Sequence, residues 1–418
     1  MKKKNIVVIG AGPAGLTFAY YLLKKNNDYN VIIIEKDDLV GGISKTVNFN
    51  GYKVDTGIHR YFSKNDMVNN IWKEILPIQN KPAYDDVLLE KKREYENNGS
   101  NPELEDKSML IKDRLTRIYY GKKFYDYPVS INMTLIKNMG FLNILKAGFS
   151  YIKSCLFKRK ELSLEDFYIN RFGKVLYNMF FENYTEKVWG VHPSKISADW
   201  GAQRVKGISI TAVIKDFINK KLGKKDKNNT ETSLIESFLY PKLGSGQMWS
   251  EMADKIINMG GTIKLKCNLV KVNIKNNRVY SIEYKENGKT YCLEIDYCVS
   301  SMPIKDLFLS LGGIKIDEGI YKASVNLPYR EFMSVCMVVD KIILQNNTKV
   351  KTLNNIIPDS WIYIQEPEVR MGRLQIFNNW SPYLFKNKED IKNKVLIGIE
   401  YFCSEDDKYW NMSDNDFI

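Results

Sequence analysis

Two glycine clusters and one acid carry the clearest chemistry. Gly10-Ala-Gly12-Pro-Ala-Gly15 succeeds a short β-branched run, Ile6–Ile9, and opens into Leu16–Lys25 with helical apolar spacing. A second β-branched run, Val31–Ile34, ends in Glu35, 20 residues past Gly15. Each part has a mechanical reason. Gly10 permits a tight turn, Gly12 lets backbone approach a pyrophosphate, and Gly15 lets helix pack closely on strand. The helix N-terminus offers unpaired N–H donors to an anion, and Glu35 is placed to accept from a ribose diol while disfavouring a 2′-phosphate. Strand, turn, helix, strand and acid together predict dinucleotide binding.

The residues just beyond the acid decide between dinucleotides. Gly41-Gly42-Ile-Ser44 lies close behind Glu35, and a short hairpin, Thr46–Val54, leads to Val54-Asp55-Thr56-Gly57-Ile58-His59. A glycine pair there lets the chain pass tightly over a long extended cofactor. The arrangement resembles the glutathione-reductase-like flavin-binding group, which implies FAD.

Other elements must position these residues. Tyr84–Asp113 is charged and turn-rich and reads as a loop or insertion. Arg117–Tyr120 and Lys123–Tyr127 form a hairpin around Gly121, closed by Pro128. Thr134–Lys158 is helical, with Lys137, Lys146 and Lys153 among apolar residues. A basic amphipathic helix can lie on a membrane, but this one is read as packing in a domain core with its lysines in water, so peripheral membrane contact is the disfavoured reading. Leu162–Arg171 and Lys174–Phe181 continue as helices. The cationic run Lys220–Lys227 has no aromatic interleaving, so it is read as a solvated loop and no nucleic-acid partner is expected. Pro241-Lys-Leu-Gly244-Ser-Gly246 is another tight glycine loop before a helix, Met248–Met259. Strands are expected at Thr262–Val272, Val279–Lys285, Tyr291–Ser301, Ser334–Val339, Trp361–Gln365 and Val395–Tyr401. Ser413 and Asp416 announce a helix N-terminus with only Phe417 and Ile418 beyond it, so a truncated product is expected.

The balance of 62 basic against 49 acidic residues gives a net charge of +13, which points to an anionic partner unless it is compositional drift. Six scattered cysteines without a CxxC pair form no disulfide framework and suggest the cytoplasm. Only two histidines exist, so no metal site built on several imidazoles is expected.

Several segments together resemble UDP-galactopyranose mutase, and more broadly the protoporphyrinogen oxidase and monoamine oxidase superfamily. Gly57-Ile58-His59 sits where the mutase has Gly-Gly-His against the flavin. Tyr184–Val191, Ala198–Arg204, Pro241–Trp249, Leu269–Val272, Val299–Met302, Trp361–Tyr363 and Arg373–Tyr383 match mutase segments. The resemblance implies an α/β fold: a Rossmann-like FAD-binding domain discontinuous in sequence (1–83 and 236–305), with a helical plus antiparallel-sheet substrate domain (84–235 and 306–418), short of the family's last FAD segment. It implies that Gly10, Gly12, Gly15, Glu35, Gly41, Gly42, Ser44, Gly57, His59, Gly244, Leu269, Ser301 and Met302 hold FAD. Arg204, Tyr363, Arg373 and Trp380 match positions around the substrate diphosphate, where guanidinium forks suit phosphate oxygens. Tyr127, Thr185 and Trp189 complete the implied substrate set. Ile58, Thr185 and Trp380 depart from the family's glycine, asparagine and tyrosine.

The implied reaction is pyranose/furanose isomerisation of a nucleotide-diphosphate sugar for surface polysaccharide synthesis. In it reduced flavin N5 attacks the anomeric carbon while Arg204 and Arg373 stabilise the leaving diphosphate. His59 would position the flavin. NAD(P)H is one candidate reductant. The alternative is an FAD-dependent oxidoreductase of the amine oxidase/protoporphyrinogen oxidase type, and a third reading is a non-enzymatic scaffold.

Overall fold

The computed structural model describes residues 3–25, 28–127, 129, 133–204 and 237–417. The chain divides into two compact units: Met1–Ile111 with Leu239–Tyr329 and Ser381–Asp390, and Lys112–Phe238 with Arg330–Trp380 and Ile391–Ile418. The first unit thus takes 84–111, 306–329 and 381–390, which the sequence pattern had assigned to the substrate domain. Part of the reason is local packing: Ala83 and Leu110 pack with Tyr383.

The first unit is layered on a parallel sheet, in the order Tyr297–Ser300, Lys4–Ile9, Tyr29–Ile34, Thr262–Lys264. Its central strands are apolar on both faces because both faces are covered. One face carries helices Pro13–Lys25 and Gln247–Asn258, whose Leu16, Ala19, Met252 and Ile256 close over Val8, Val31 and Ile33. The other packs Val7, Ile9 and Ile34 against an antiparallel meander, Cys267–Lys275, Arg278–Glu286 and Lys289–Glu294.

Two strands expected to be continuous are each divided between these sheets. Thr262–Lys264 belongs to the parallel sheet and Cys267–Lys275 to the meander, with Lys266 at φ 55° between them. Tyr291–Ser301 likewise breaks at Ile295 and Asp296. Ile295 N donates to Tyr280 O (2.9 Å), and Asp296 exchanges bonds with the backbone of Asn5. Period-2 polarity cannot reveal a chain that changes sheets in two residues. The stretch expected to be a loop at 84–113 also has structure, with a helix at Tyr84–Leu88 and a strand at Met109–Asp113. Its acids misled: Asp86 is buried and paired with Arg93.

The second unit is built on a six-stranded sheet ordered Glu331–Val339, Val395–Cys403, Arg373–Ile376, Trp361–Ile364, Thr116–Tyr120, Lys123–Asp126. The last two form the expected hairpin, with Gly121 and Lys122 both at φ 57°. Helices Phe141–Leu156, Leu164–Tyr177, Asn183–Trp189 and Ala198–Arg204 accompany it. The helix expected over 134–158 is interrupted at Gly140 (φ 76°). Leu135, Met139 and Ala147 are buried in one apolar cluster with Ile144 packed against it, and Lys137, Lys146 and Lys153 face water, in line with the core-packing expectation. Beyond Gly140, however, the side chains of Leu142, Leu145, Phe149, Ile152 and Leu156 are exposed. At the C-terminal end, Ser413 Oγ donates to Asp416 (2.6 Å) ahead of the helix Asp414–Phe417. The run 220–227 lies outside the described residues. Among the described residues, no helix is long and apolar enough to cross a membrane.

Candidate functional site

The first glycine turn is built from packing at two of its glycines and from open space at the third. Gly10 sits at φ 98°, and a Cβ there would lie 2.5 Å from Ser301 Oγ. Ser301 is itself fixed, its N and Oγ both donating to Ile9 O (2.9 and 3.0 Å). A Cβ on Gly15 would collide with the carbonyl oxygen of Gly10. Gly12 differs. The nearest atom to a Cβ added there is Gly42 Cα, at 3.9 Å, and a Cβ on Gly42 would lie 3.3 Å from Gly12 Cα. The two glycine turns face each other with no side chain between them, at the start of helix Pro13–Lys25. Gly41 N donates to Ala11 O (2.9 Å) and ties the turns together. This is a cradle that one methyl group would fill, of the kind a pyrophosphate needs.

Glu35 does more than the ribose contact expected of it. Its Oε2 accepts from Ala11 N (2.7 Å) and its Oε1 from Asp37 N (2.9 Å), so the carboxylate braces the glycine turn. Each oxygen keeps a further lone pair for a hydroxyl donor.

His59 is held against the second turn. Its Nε2 lies 2.7 Å from Ile43 O and its Nδ1 3.4 Å from Ser44 Oγ. A carbonyl only accepts, so Nε2 carries a proton directed at Ile43 O. The imidazole is thereby tied to the second turn. Gly57, two residues before it, is buried. Leu269 and Met302 are half-buried against the cluster containing Val7, Ile9 and Ile34, and Ser301 is exposed beside Gly10.

Sequence reasoning missed the residue that holds the third glycine loop. Asp55 is 2% exposed. It accepts from Thr46 Oγ1 (2.6 Å), Tyr240 OH (2.6 Å) and Ser245 N (3.0 Å). Thr46 Oγ1 in turn accepts from Gly246 N (2.8 Å), and Ser245 Oγ donates to Ser44 O (3.0 Å). Gly244, at φ 105°, has Thr46 and Asp55 where a side chain would go. One buried carboxylate therefore ties the loop Gly244–Gly246 to the hairpin behind Ser44.

Burial raises the Asp55 pKa to about 6, against the lowering pull of its three donors. Its folded value lies above its unfolded one, so the unfolded chain loses this proton first as pH rises. Stability should accordingly fall by about 3 kcal/mol between pH ~4 and pH ~6 on this account, then level off. Asp55→Asn, which does not titrate, should flatten that slope in urea titrations at stepped pH. An unchanged slope would remove Asp55 as its source.

The predicted substrate residues all fall in the second unit, and two of them converge with a third tyrosine. The rings of Tyr127 and Tyr363 lie 4.7 Å apart, and Tyr184, at 5.3 Å from Tyr363, joins them edge-on. Burial holds the Tyr184 hydroxyl well above its ordinary range, so it remains a neutral donor. Arg373 stands in register with Glu400 on the adjacent strand and forms an ion pair with it through Nε. Glu400 is fully buried, and its Oε1 accepts from Gln375 Nε2 (2.7 Å). Burial pushes the Glu400 carboxyl up, while Arg373 and Gln375 pull it down. On Arg373, burial opposes the charge, but Glu400 and the tyrosines outweigh it and raise the pKa. Arg114 adds a second guanidinium, 5.7 Å from the ring centre of Tyr127.

The other members are found as follows. Trp380 is 1% exposed, donates to Ser360 O (2.9 Å) and stacks on Trp361, so its indole packs in the core. Thr185 is buried in helix Asn183–Trp189, and Trp189 meets Trp200 edge-on at 5.2 Å. Arg204 ends helix Ala198–Arg204, and its side chain lies outside the described residues. Glu400 was missed, although a lone acid within Val395–Cys403, otherwise apolar apart from Gly398 and Tyr401, is a readable signal.

Comparison with known proteins defines the fold. Residues 8–75 match the model of the NAD(P)-binding Rossmann-like domain, and the fold over the whole chain is that of a set of solved mutases and oxidases. Among them is reduced UDP-galactopyranose mutase, with a TM-score of 0.72 and 16% identity over 99% of this chain and 77% of that one. A putative protoporphyrinogen oxidase from Exiguobacterium sp. aligns with a TM-score of 0.61 and 13% identity over 99% and 80%. An uncharacterized protein in the nifH2 3′ region of Methanothermococcus thermolithotrophicus is 44% identical over 62 residues, 15% of this chain. That match spans 58% of the relative's length. The expected resemblance to the mutase and the wider oxidase group therefore holds for the fold.

Proposed function

We propose that the chain is an FAD-dependent enzyme whose first unit holds the cofactor and whose second binds a small, diphosphate-bearing substrate. The observation that carries this reading is the open span between Gly12 and Gly42 at a helix N-terminus, with Glu35 braced beside it. Gly10, Gly15, Gly41 and Ser301 would shape the pyrophosphate seat, and Ser44, Gly57, His59 and Gly244 would line the stretch beyond it. Such a group supplies, when bound, either a nucleophilic ring nitrogen in its reduced form or a hydride acceptor in its oxidised form.

In the second unit Arg373 and Arg204 would meet the substrate's phosphates, with hydroxyl donors from Tyr363 and Tyr184. Glu400 would hold Arg373 in place and fix the direction of its fork. On this basis the favoured reaction is the mutase's, a pyranose/furanose interconversion of a nucleotide-diphosphate sugar. The Glu400 charge also favours a second reading. It neutralises Arg373, which weakens the pull on an anion and suits an uncharged substrate of an FAD-dependent oxidoreductase.

The purified chain should be yellow and release FAD on heating. After dithionite reduction it should interconvert UDP-galactopyranose and its furanose form, monitored by chromatography. Bleaching of the flavin by an unphosphorylated amine without added reductant would instead support the oxidoreductase, and a colourless protein that takes up no FAD would sink both.

A further inference from the structure

The helix Phe141–Leu156 presents to water the face that a core helix would bury. Leu142, Leu145, Phe149, Ile152 and Leu156 recur at three- and four-residue steps and so share one stripe, about 100° wide. Phe149 is 71% exposed, and Leu142 and Leu156 are each 72% exposed. The opposite face carries Ala147, Ser150 and Ser154 together with Ile144 and Tyr151, both half-buried. Ala147 and Ser154 are buried, and Ser150 Oγ accepts from Val175 N of helix Leu164–Tyr177 (3.2 Å). A Cβ on Gly173 would lie 2.8 Å from Tyr151 N, so the two backbones are in close contact. That contact is made by the face opposite the stripe, and the stripe itself is left turned to water.

An apolar stripe of this size facing water marks a binding face, and the charges around it say for what. From Tyr127 to Lys160 the chain has six basic residues and no acidic one. Lys146 and Lys153 flank the stripe on the helix itself, and Lys158 and Lys160 lie just past its end, all exposed. A second copy meeting this face would bring lysines against lysines. An anionic bilayer instead offers acyl chains to the stripe and phosphates to its rim, and the helix lies in that interface without crossing it. We propose that Phe141–Leu156 seats the protein on an anionic lipid surface.

The test is flotation of the full chain with phosphatidylcholine vesicles, with and without phosphatidylglycerol. Binding is expected on the mixed vesicles and should weaken with salt. It should fall about tenfold in Phe149→Glu or Leu156→Glu, with an unchanged melting temperature because both side chains are exposed. Lys146→Glu with Lys153→Glu should abolish the preference for phosphatidylglycerol. No binding to mixed vesicles, binding indifferent to the stripe substitutions, or a solution dimer that Phe149→Glu dissociates would each overturn the proposal.

Discussion

Gly12→Ala is expected to leave the protein folded and strip it of cofactor, whereas Gly15→Ala should damage the fold itself. The nearest neighbour of a Cβ on Gly12 is Gly42 Cα at 3.9 Å, an ordinary contact, and residue 12 is not at positive φ. The stability of the variant should therefore lie within about 0.5 kcal/mol of the parent's. Its methyl group occupies the space where a pyrophosphate would approach, and FAD retention should drop at least ~tenfold, since one clash of about 1.4 kcal/mol suffices. A Cβ on Gly15 meets the carbonyl oxygen of Gly10 and, at 3.2 Å, Val8 Cγ1. Backbone cannot yield as a side-chain tip does, and overpacking of this kind costs about 3 kcal/mol or more. Urea denaturation beside the visible spectrum separates the two effects. If Gly12→Ala retains FAD as well as the parent, the cradle between Gly12 and Gly42 is not the seat of the pyrophosphate.

How much was legible in the sequence depended on how local each determinant is. The first βαβ unit was readable because each of its parts acts within some thirty residues: a β-branched strand, a glycine turn, a helix and an acid. The hairpin around Gly121 was readable for the same reason. Asp55 was not, because a buried carboxylate looks like a surface acid until its partner Tyr240, 185 residues away, is brought beside it. The helix Phe141–Leu156 was legible in part: Ala147 and Ile144 pack in a core and its lysines face water, but an apolar stripe does too. Its periodicity was correct, but periodicity says that an apolar face exists and not which way it turns. At Gly173 the lack of a side chain admits the backbone of Ser150 and Tyr151, on the face opposite the stripe. Trp380 shows the limit of motif matching, since the aligned position holds an indole whose N–H is already bound to Ser360 O (2.9 Å) inside the core.

The pair Arg373–Glu400 offers the sharpest test of the second unit. Glu400→Ala leaves a buried guanidinium without its counter-charge and Gln375 without its acceptor, and should destabilise by about 3–5 kcal/mol. Arg373→Met leaves Glu400 buried and unpaired, at a similar cost. Because each single change strands the other charge, Arg373→Met with Glu400→Gln should cost far less than the two separate effects added together. The cycle also separates a structural pair from one that serves a substrate. Glu400→Gln keeps an acceptor for Gln375 but removes the charge that competes for Arg373, so the affinity of the FAD-loaded protein for UDP should rise, by about tenfold for a gain of about 1.4 kcal/mol. Arg373→Met should lose that affinity. If calorimetry finds UDP binding indifferent to both substitutions, the pair is a sheet-locking element alone and the diphosphate must be sought elsewhere on the second unit.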